Sequence, residues 1–480
     1  MVPRVNRPSL LPFACALGAG LFASASGAQP LPPSAPVPSP AVVAARETTA
    51  ASPTGFSFGS YGRVGVASDL RGRTGRSTNI VAFGPRLQAP PYAELQFNYD
   101  ARFGSARWRA VTTLAMNEDL FHFTGRFGGA FAVRNLYLEE TGIGSDDLTL
   151  WVGSRMYRGD DVYLLNFWPM DNLNMVGGGA RYHAGEHVVL QAAVGMNRLD
   201  DPYQLQTISV APREGFGPQT AFLLDRPRVL ASAKATWYSV GRTAREGLKL
   251  SVYGEYHAMA AGVRQLNDAG SRVELPSDSG WVMGAQAGLY RGPSFVNVFV
   301  RYAQGLGAYG DLDVPVTLAS ARTSARALDF RLALSANWER GPFALMVGAY
   351  FRYFRDADAG VFSRDALVEG AVAARPIVWF GNHVGFAGEV SYQRVTYNAI
   401  DPVTGNGALA GSVLRFAAMP FVTPGGRGSY TRPHLQIIYA ASLRDDGARR
   451  LYAPDDPFGF NSVEHFLGVG TEWWFNSSYL

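Results

Sequence analysis

Thiol chemistry is all but missing from this sequence. One cysteine, Cys15, occurs in 480 residues. It falls inside an apolar leader, so neither disulfides nor a thiolate nucleophile is expected in the body of the chain. Charge is scarce too. Asp, Glu, Lys and Arg make up 17%, below the globular norm of about 25%, and a net charge of +4 is too small over this length to argue for nucleic acid. Beyond the first 30 positions no stretch of 18 unbroken apolar residues occurs, and mean hydropathy is −0.03. That excludes a chain crossing a membrane as helices. The seven histidines are scattered without zinc-like spacing, and neither a G-x-S-x-G elbow nor a phosphate-cradling glycine loop is present. No enzyme, metal site or cofactor is therefore expected. His257 and His434 read more plainly as solvated pore histidines than as a lipase base.

What the chain does have is glycine, 54 of them, and aromatic residues at 12%, a mixture that suits many strands joined by tight turns. Residues 1–28 read as a signal peptide: Arg4 and Arg7, then an apolar core from Leu10 to Phe22, then small residues ending at Ala28. This implies export. Residues 29–55 are rich in Pro, Ala, Ser and Val; such a tract is semi-rigid and forms no core, so a disordered periplasmic spacer is expected. A tail, 476–480, follows the last patterned residue.

From Phe56 onward the hydrophobic pattern has period two. Glu94, Gln96, Asn98 and Asp100 alternate with Ala93, Leu95, Phe97 and Tyr99; Asp329, Arg331, Ser335 and Asn337 oppose Leu328, Phe330, Leu332, Leu334 and Trp338; Glu472 and Trp474 oppose Leu467, Val469, Trp473 and Phe475. About 18 such segments recur, each roughly ten residues long, and their connections alternate between tight and long. The tight ones include Gly104-Ser105, Gly292-Pro293 and Gly341-Pro342; the long ones include 67–91, 157–176 and 197–228. Aromatics cluster near strand ends, at Trp237-Tyr238, Trp338, Trp379-Phe380 and Trp473, as in the interfacial girdles of membrane proteins. The expected fold is all-β: a transmembrane antiparallel β-barrel of about 18 strands over 56–475, wide enough for an aqueous lumen. A secreted sandwich or propeller would need neither the girdles nor the alternating loop lengths.

One stretch stands out, LTLWVGSRMYRGDDVYLLNFWPMD from Leu148 to Asp171. It starts as an alternating strand and runs into a loop too aromatic for a solvated turn. In a wide barrel such a loop has a place folded inward, as a constriction. Aromatic rings on an inward strand face are costly beside water, unless a solute with apolar faces and a hydroxyl edge slides along them, which describes a sugar. Tyr61 and Tyr92 lie on the polar faces of their strands, with Arg63 and Glu94 two residues on and on the same side. If the barrel closes first strand to last, Tyr61 and Trp474 become neighbours.

These residues carry a resemblance. FSFGSYGRVG from Phe56 to Gly65, Tyr92-Ala93-Glu94-Leu95, WVGSRMYRGDDVYLLNFWPMD and, more loosely, residues 280–305, Thr431-Arg432-Pro433 and GTEWWF are similar to segments of the maltoporin (LamB-type) carbohydrate porins, over essentially the whole of 56–475. The resemblance implies an 18-stranded bacterial outer-membrane barrel embedded in lipid, a homotrimer, and passive diffusion of maltose- or maltodextrin-like sugars. It implies an aromatic slide at Tyr61, Tyr92 and Trp474, and a polar track including Arg63, Arg86, Glu94 and Asp161. The third loop would supply the constriction through Asp161, Tyr163, Asn166 and Trp168, with Trp168 where the family places its constricting tyrosine. The chain departs from the family at Gly159, Tyr163 and Asn166, where arginine, histidine and aspartate are usual. Met283 and Glu369 or Gly370 stand at slide positions and are not aromatic; Phe121 or Phe123 would replace the second-loop tryptophan. The first-loop cysteine pair is absent. A general porin, with the third loop only a size filter, is the alternative.

Overall fold

The structure is a computed structural model that describes residues 54–117, 125, 131–211, 217, 219–267, 270–310, 313–315, 324–357, 366–400 and 408–476. The expected leader, nearly all of the Pro-rich spacer, Phe121, Phe123 and residues 477–480 lie outside them.

Twenty-two strands follow one another: β1 (Gly55–Ser68), β2 (Tyr92–Phe103), β3 (Ala106–Asn117), β4 (Ala132–Thr141), β5 (Leu148–Arg158), β6 (Asn172–Ala184), β7 (Val188–Asn197), β8 (Leu205–Val210), β9 (Gln219–Asp225), β10 (Arg228–Tyr238) and β11 (Glu246–Met259). Then come β12 (Gly262–Gln265), β13 (Arg272–Leu275), β14 (Asp278–Arg291), β15 (Ser294–Gly305), β16 (Leu328–Arg340), β17 (Phe343–Arg355), β18 (Ala366–Phe380), β19 (Val384–Ile400), β20 (Ala408–Val422), β21 (His434–Arg444) and β22 (Val463–Phe475). Eighteen of them form a single antiparallel sheet. β22 pairs back onto β1, with Tyr61 opposite Trp474 and Arg63 opposite Glu472, so the sheet is closed. The expected barrel and its strand number are what the chain forms. The other four strands make two hairpins, β8–β9 and β12–β13, inside long loops; the sequence reading held those stretches as plain loops. The last long loop adds two short helices, α1 (Asp446–Arg450) and α2 (Pro457–Phe460), capped by the Asp445 and Asp456 carboxylates.

The burial pattern is that of a soluble protein turned inside out. Along β16, Asp329, Ser335 and Asn337 are buried while Leu332 and Trp338 are exposed. Along β2, Glu94, Gln96, Asn98 and Asp100 are buried and Tyr99 is exposed. An apolar exterior around a polar interior is stable only where the surroundings are themselves apolar, which makes the outer face a lipid face. Phe56, Phe103, Trp338, Phe343 and Phe380 all lie exposed at the rim that carries the tight turns, forming one aromatic girdle. Tyr238 and Trp379, each expected at the girdle, instead point inward and are buried, because alternation sends one member of an adjacent pair to each side. At the two-residue turns Gly104 and Gly341 have φ of +63° and +60°, the sign a tight hairpin requires at its first position.

Candidate functional site: a lumen narrowed by two loops

The segment between β5 and β6 folds into the barrel, as its composition predicts. A backbone bond from Val162 N–H to Phe167 O (2.7 Å) closes a tight knot around a single 3₁₀ turn, Tyr163–Leu165. Asn166 ends the turn at φ +49°, ψ +49°, a left-handed conformation that asparagine tolerates better than most residues. The loop is fixed at both ends by ions. Lys249 Nζ donates to Asp160 Oδ2 at 2.5 Å, and Gln286 bonds the same oxygen; Lys234 Nζ donates to Asp171 at 2.7 Å. Between these anchors Val162, Leu164, Leu165, Phe167 and Met170 are buried against the opposite wall.

Glycines on that wall make room for them. A Cβ on Gly348 would come within 2.9 Å of Val162 Cγ1 and 3.2 Å of Leu164 Cβ; one on Gly284 would meet Met170 Cγ at 2.7 Å. The third loop is thus seated in a groove cut for it.

A second loop also turns inward, which the sequence reading did not anticipate. In the connection between β1 and β2, Ile80, Val81 and Leu87 are buried. Phe83 stacks on Phe167 with centroids 4.0 Å apart and meets Tyr350 edge-on at 5.4 Å. The backbone N–H groups of Ile80 and Ala82 donate to the inward-facing side chains of Gln393 and Glu369. This loop is short of long apolar runs, and its docking depends on backbone donors meeting wall side chains. That leaves no periodic signal in the sequence.

Around the seam of β1, β2 and β22 most of the expected site residues meet. Tyr61 is fully buried; its hydroxyl accepts from Arg63 at 2.9 Å and Arg86 at 2.5 Å, and its ring lies 6.0 Å from Tyr92. Arg86 also pairs with Glu472 at 2.5 Å and lies over the Tyr163 ring at 4.3 Å. Tyr163 donates to Glu472 at 2.6 Å, and Arg432 pairs with the same carboxylate at 3.0 Å. Trp474 meets Tyr163 edge-on at 5.9 Å and carries the Arg432 guanidinium 4.1 Å from its ring centre. Glu94 is buried, ion-paired with Arg134, and accepts from the Tyr92 hydroxyl. Tyr61 and Glu94 are thus enclosed parts of the wall, whereas Tyr92 and Trp474 are half-exposed.

The constriction residues split. Tyr163 belongs to the seam cluster. Asn166 and Trp168 face the other way, with the Arg158 guanidinium 3.9 Å from the Trp168 ring centre. Asp161 is buried, and its Oδ2 has no hydrogen-bond partner. Burial pushes this loop carboxyl up to about 7; the charge of Arg86 opposes the rise and that of Asp160 adds to it.

Two cavities border these residues. One of about 1100 Å³ is lined by Arg63, Tyr92, Arg134, Arg155, Arg158, Asn166 and Trp168 among others. A second of about 480 Å³ is lined by Arg63, Arg86, Gln88, Arg432, His434 and Glu472 among others. Arg63 is common to both.

Arg134, Arg155 and Arg158 had been assigned no role from the sequence. For Arg134 the reason is a bulge: the β3–β4 register shifts between Thr113 and Leu114, pairing them with Asn135 and Val133 and leaving Arg134 as the extra residue. A bulge re-aims a side chain and breaks period two. Arg155 and Arg158 stand in the densest stretch, and Arg155 faces three inward rings, 4.3 Å from the centre of Tyr137, 5.2 Å from Trp151 and 5.1 Å from Tyr157.

In overall shape the structure is distantly similar to Pseudomonas aeruginosa OpdK solved with vanillate (13% identity, TM-score 0.42, covering 88% of this chain and 98% of that one). It is similarly distant from P. aeruginosa OccD3, also called OpdP (11%, 0.41, 88% and 91%), and from a loop-deletion variant of Vibrio cholerae OmpT (11%, 0.38, 88% and 100%). A search of curated protein sequences finds no match. The family model described as LamB porin matches residues 56–475, the whole of the barrel, and the chain belongs to the LamB porin family of outer-membrane channels.

Proposed function

We propose that this porin passes saccharides by passive diffusion, without a cofactor and without chemistry on the solute. The observation that supports it is the lining of the larger cavity. There the half-exposed ring of Tyr92 stands among the guanidinium groups of Arg63 and Arg158 and the amide of Asn166, with Trp168, buried but for an edge, beneath Arg158. Rings offer faces to the apolar side of a sugar, and guanidinium groups offer charge-assisted hydrogen bonds to its hydroxyls. The cavity volume, about 1100 Å³, lies just above the range of small-molecule sites, about 300–1000 Å³. The family resemblance adds maltodextrin-like sugars as solute class and a homotrimer as assembly, the latter open to native mass spectrometry in detergent.

Titration of single-channel current with maltotriose tests the solute class. Block in the micromolar-to-millimolar range, weakened by Trp474→Ala, is expected. Unblocked current at tens of millimolar sugar would overturn it. One observation favours the second reading, a general porin in which the loops filter by size: Tyr61, the first expected ring of a slide, is fully enclosed and has no face to offer a solute.

A further inference from the structure

Three ion clusters on the interior wall carry more arginine than carboxylate. Glu472 is shared by Arg86 at 2.5 Å and Arg432 at 3.0 Å. Glu389 is shared by Arg375 at 2.7 Å and Arg415 at 3.1 Å. Asp329 is shared by Arg301, Arg331 and Arg352 at 2.6 to 2.8 Å, of which only Arg352 reaches a further acid, Glu369, at 3.3 Å. Three ion clusters therefore hold seven guanidinium groups on four carboxylates. Glu94, Glu139 and Asp225, nearer the larger cavity, are each already paired with an arginine, and Asp160 and Asp171 of the third loop with Lys249 and Lys234, so that Asp161, when ionised, offsets only part of the excess. Walls of low dielectric focus the field of such an excess into the space they enclose.

Arg63 is where that field meets the passage. Its Nε donates to the Pro90 carbonyl at 2.8 Å and its Nη1 to the Tyr61 hydroxyl at 2.9 Å, both neutral acceptors. Two of its five donors are used, it is half-exposed, and it lines both cavities. A planar guanidinium with donors to spare matches a carboxylate or phosphate better than a hydroxyl.

We propose that the solute selected by this channel is an anionic saccharide, bearing a carboxylate or a phosphate, and that Arg63, which lines both cavities, binds its charged group. The proposal rests on the saccharide reading for the sugar ring and goes beyond it in the charge, so the two are tested separately. In planar bilayers with a KCl gradient, the reversal potential of the full-length protein reads the charge preference without any sugar. Anion selectivity is expected. Arg63→Ser should shift it toward cations, and Arg63→Lys, which keeps the charge, should hold most of it. Heat-modifiable migration on gels confirms that each variant is folded.

Current block then separates the ligands. Trigalacturonate is expected to block at about tenfold lower concentration than maltotriose, and Arg63→Ser to remove that advantage. Stronger block by glucose 6-phosphate than by trigalacturonate would assign the anion as a phosphate. A cation-selective channel, or block by maltotriose as strong as by both trigalacturonate and glucose 6-phosphate, overturns the proposal and leaves the saccharide reading standing. An anion-selective channel blocked by none of the three sugars overturns the saccharide reading, and the proposal with it.

Discussion

Tyr61 and Trp474 sit directly opposite one another across the seam that closes the barrel, yet only one of them has surface to offer. Tyr61 is enclosed, its hydroxyl fixed by Arg63 and Arg86. Trp474 is half-exposed and braced by Tyr163 and Arg432. The two truncations should therefore separate. Trp474→Ala is expected to weaken sugar block with little change in thermal stability. Tyr61→Phe removes the acceptor of one buried guanidinium bond, from Arg86, and one part-buried bond, from Arg63, and should cost about 1–3 kcal/mol, lowering the unfolding temperature while leaving sugar affinity within a factor of a few.

Gly348 controls how the third loop seats. Gly348→Val places a branched side chain where a Cβ alone would meet Val162 and Leu164 at 2.9 and 3.2 Å. Overpacking of this kind costs about 1–3 kcal/mol, and the loop is the softer partner. Open-channel conductance should rise and current noise increase. Conductance equal to that of the unmodified channel would mean that the loop does not set the narrowest section.

Lys249 holds the other end of the same device. Lys249→Met leaves the Asp160 carboxylate buried with Gln286 as its partner at that position, and breaking one side of a buried pair costs about 3–5 kcal/mol. Release of the third loop near Asp160 should appear as new protease cleavage between residues 159 and 171. Gln286→Met, which removes a neutral donor, should show much less.

Asp161 predicts a pH dependence. Its carboxyl stands at about 7 against an ordinary 3.8, so the folded protein binds this proton more tightly than the unfolded chain does. The sign follows: the stabilisation from protonation is full below 3.8 and is lost as pH rises through about 7. As pH falls from 8 to 6 a negative charge therefore leaves the constriction. Anion selectivity should increase over that interval, and Asp161→Asn should hold the low-pH value at both ends of it. A reversal potential in that variant as pH-dependent as before would rule Asp161 out as the source.

The lipid face makes its own prediction. Val372 lies midway along β18 and is 43% exposed on the outside of the barrel. Val372→Arg should destabilise folding into bilayers by about 2–4 kcal/mol, the cost of an arginine at the membrane midplane. The inward neighbour Ala373 makes Ala373→Ser a control expected to be far milder.

What could be read from the sequence was whatever repeats or alternates. Strict period two along β2 and β16 placed the polar and apolar faces correctly, and closure put Tyr61 beside Trp474. The third loop was legible because its rings were out of place for a solvated turn. Illegible features lay where local pattern carries no information. The first loop docks through backbone donors at Ile80 and Ala82. Arg134 turns inward only because β4 bulges against β3. The burial of Tyr61 depends on Arg86, a residue 25 positions away in a loop that no strand parity governs.

The tie between Arg86 and Glu472 spans 386 positions of chain and joins the first loop to the final strand. Contacts so distant in sequence form only after the intervening chain has been brought into register. Neither Glu472 nor the Arg432 beside it is in position before β22 docks on β21 and β1. A nascent barrel without β22 would hold its first loop through wall residues such as Gln393 and Glu369, with Arg86 lacking the carboxylate that ties it to the seam. The polar seam beside the constriction, where Arg86, Tyr163 and Arg432 converge on Glu472, is thus completed only by the strand that closes the barrel.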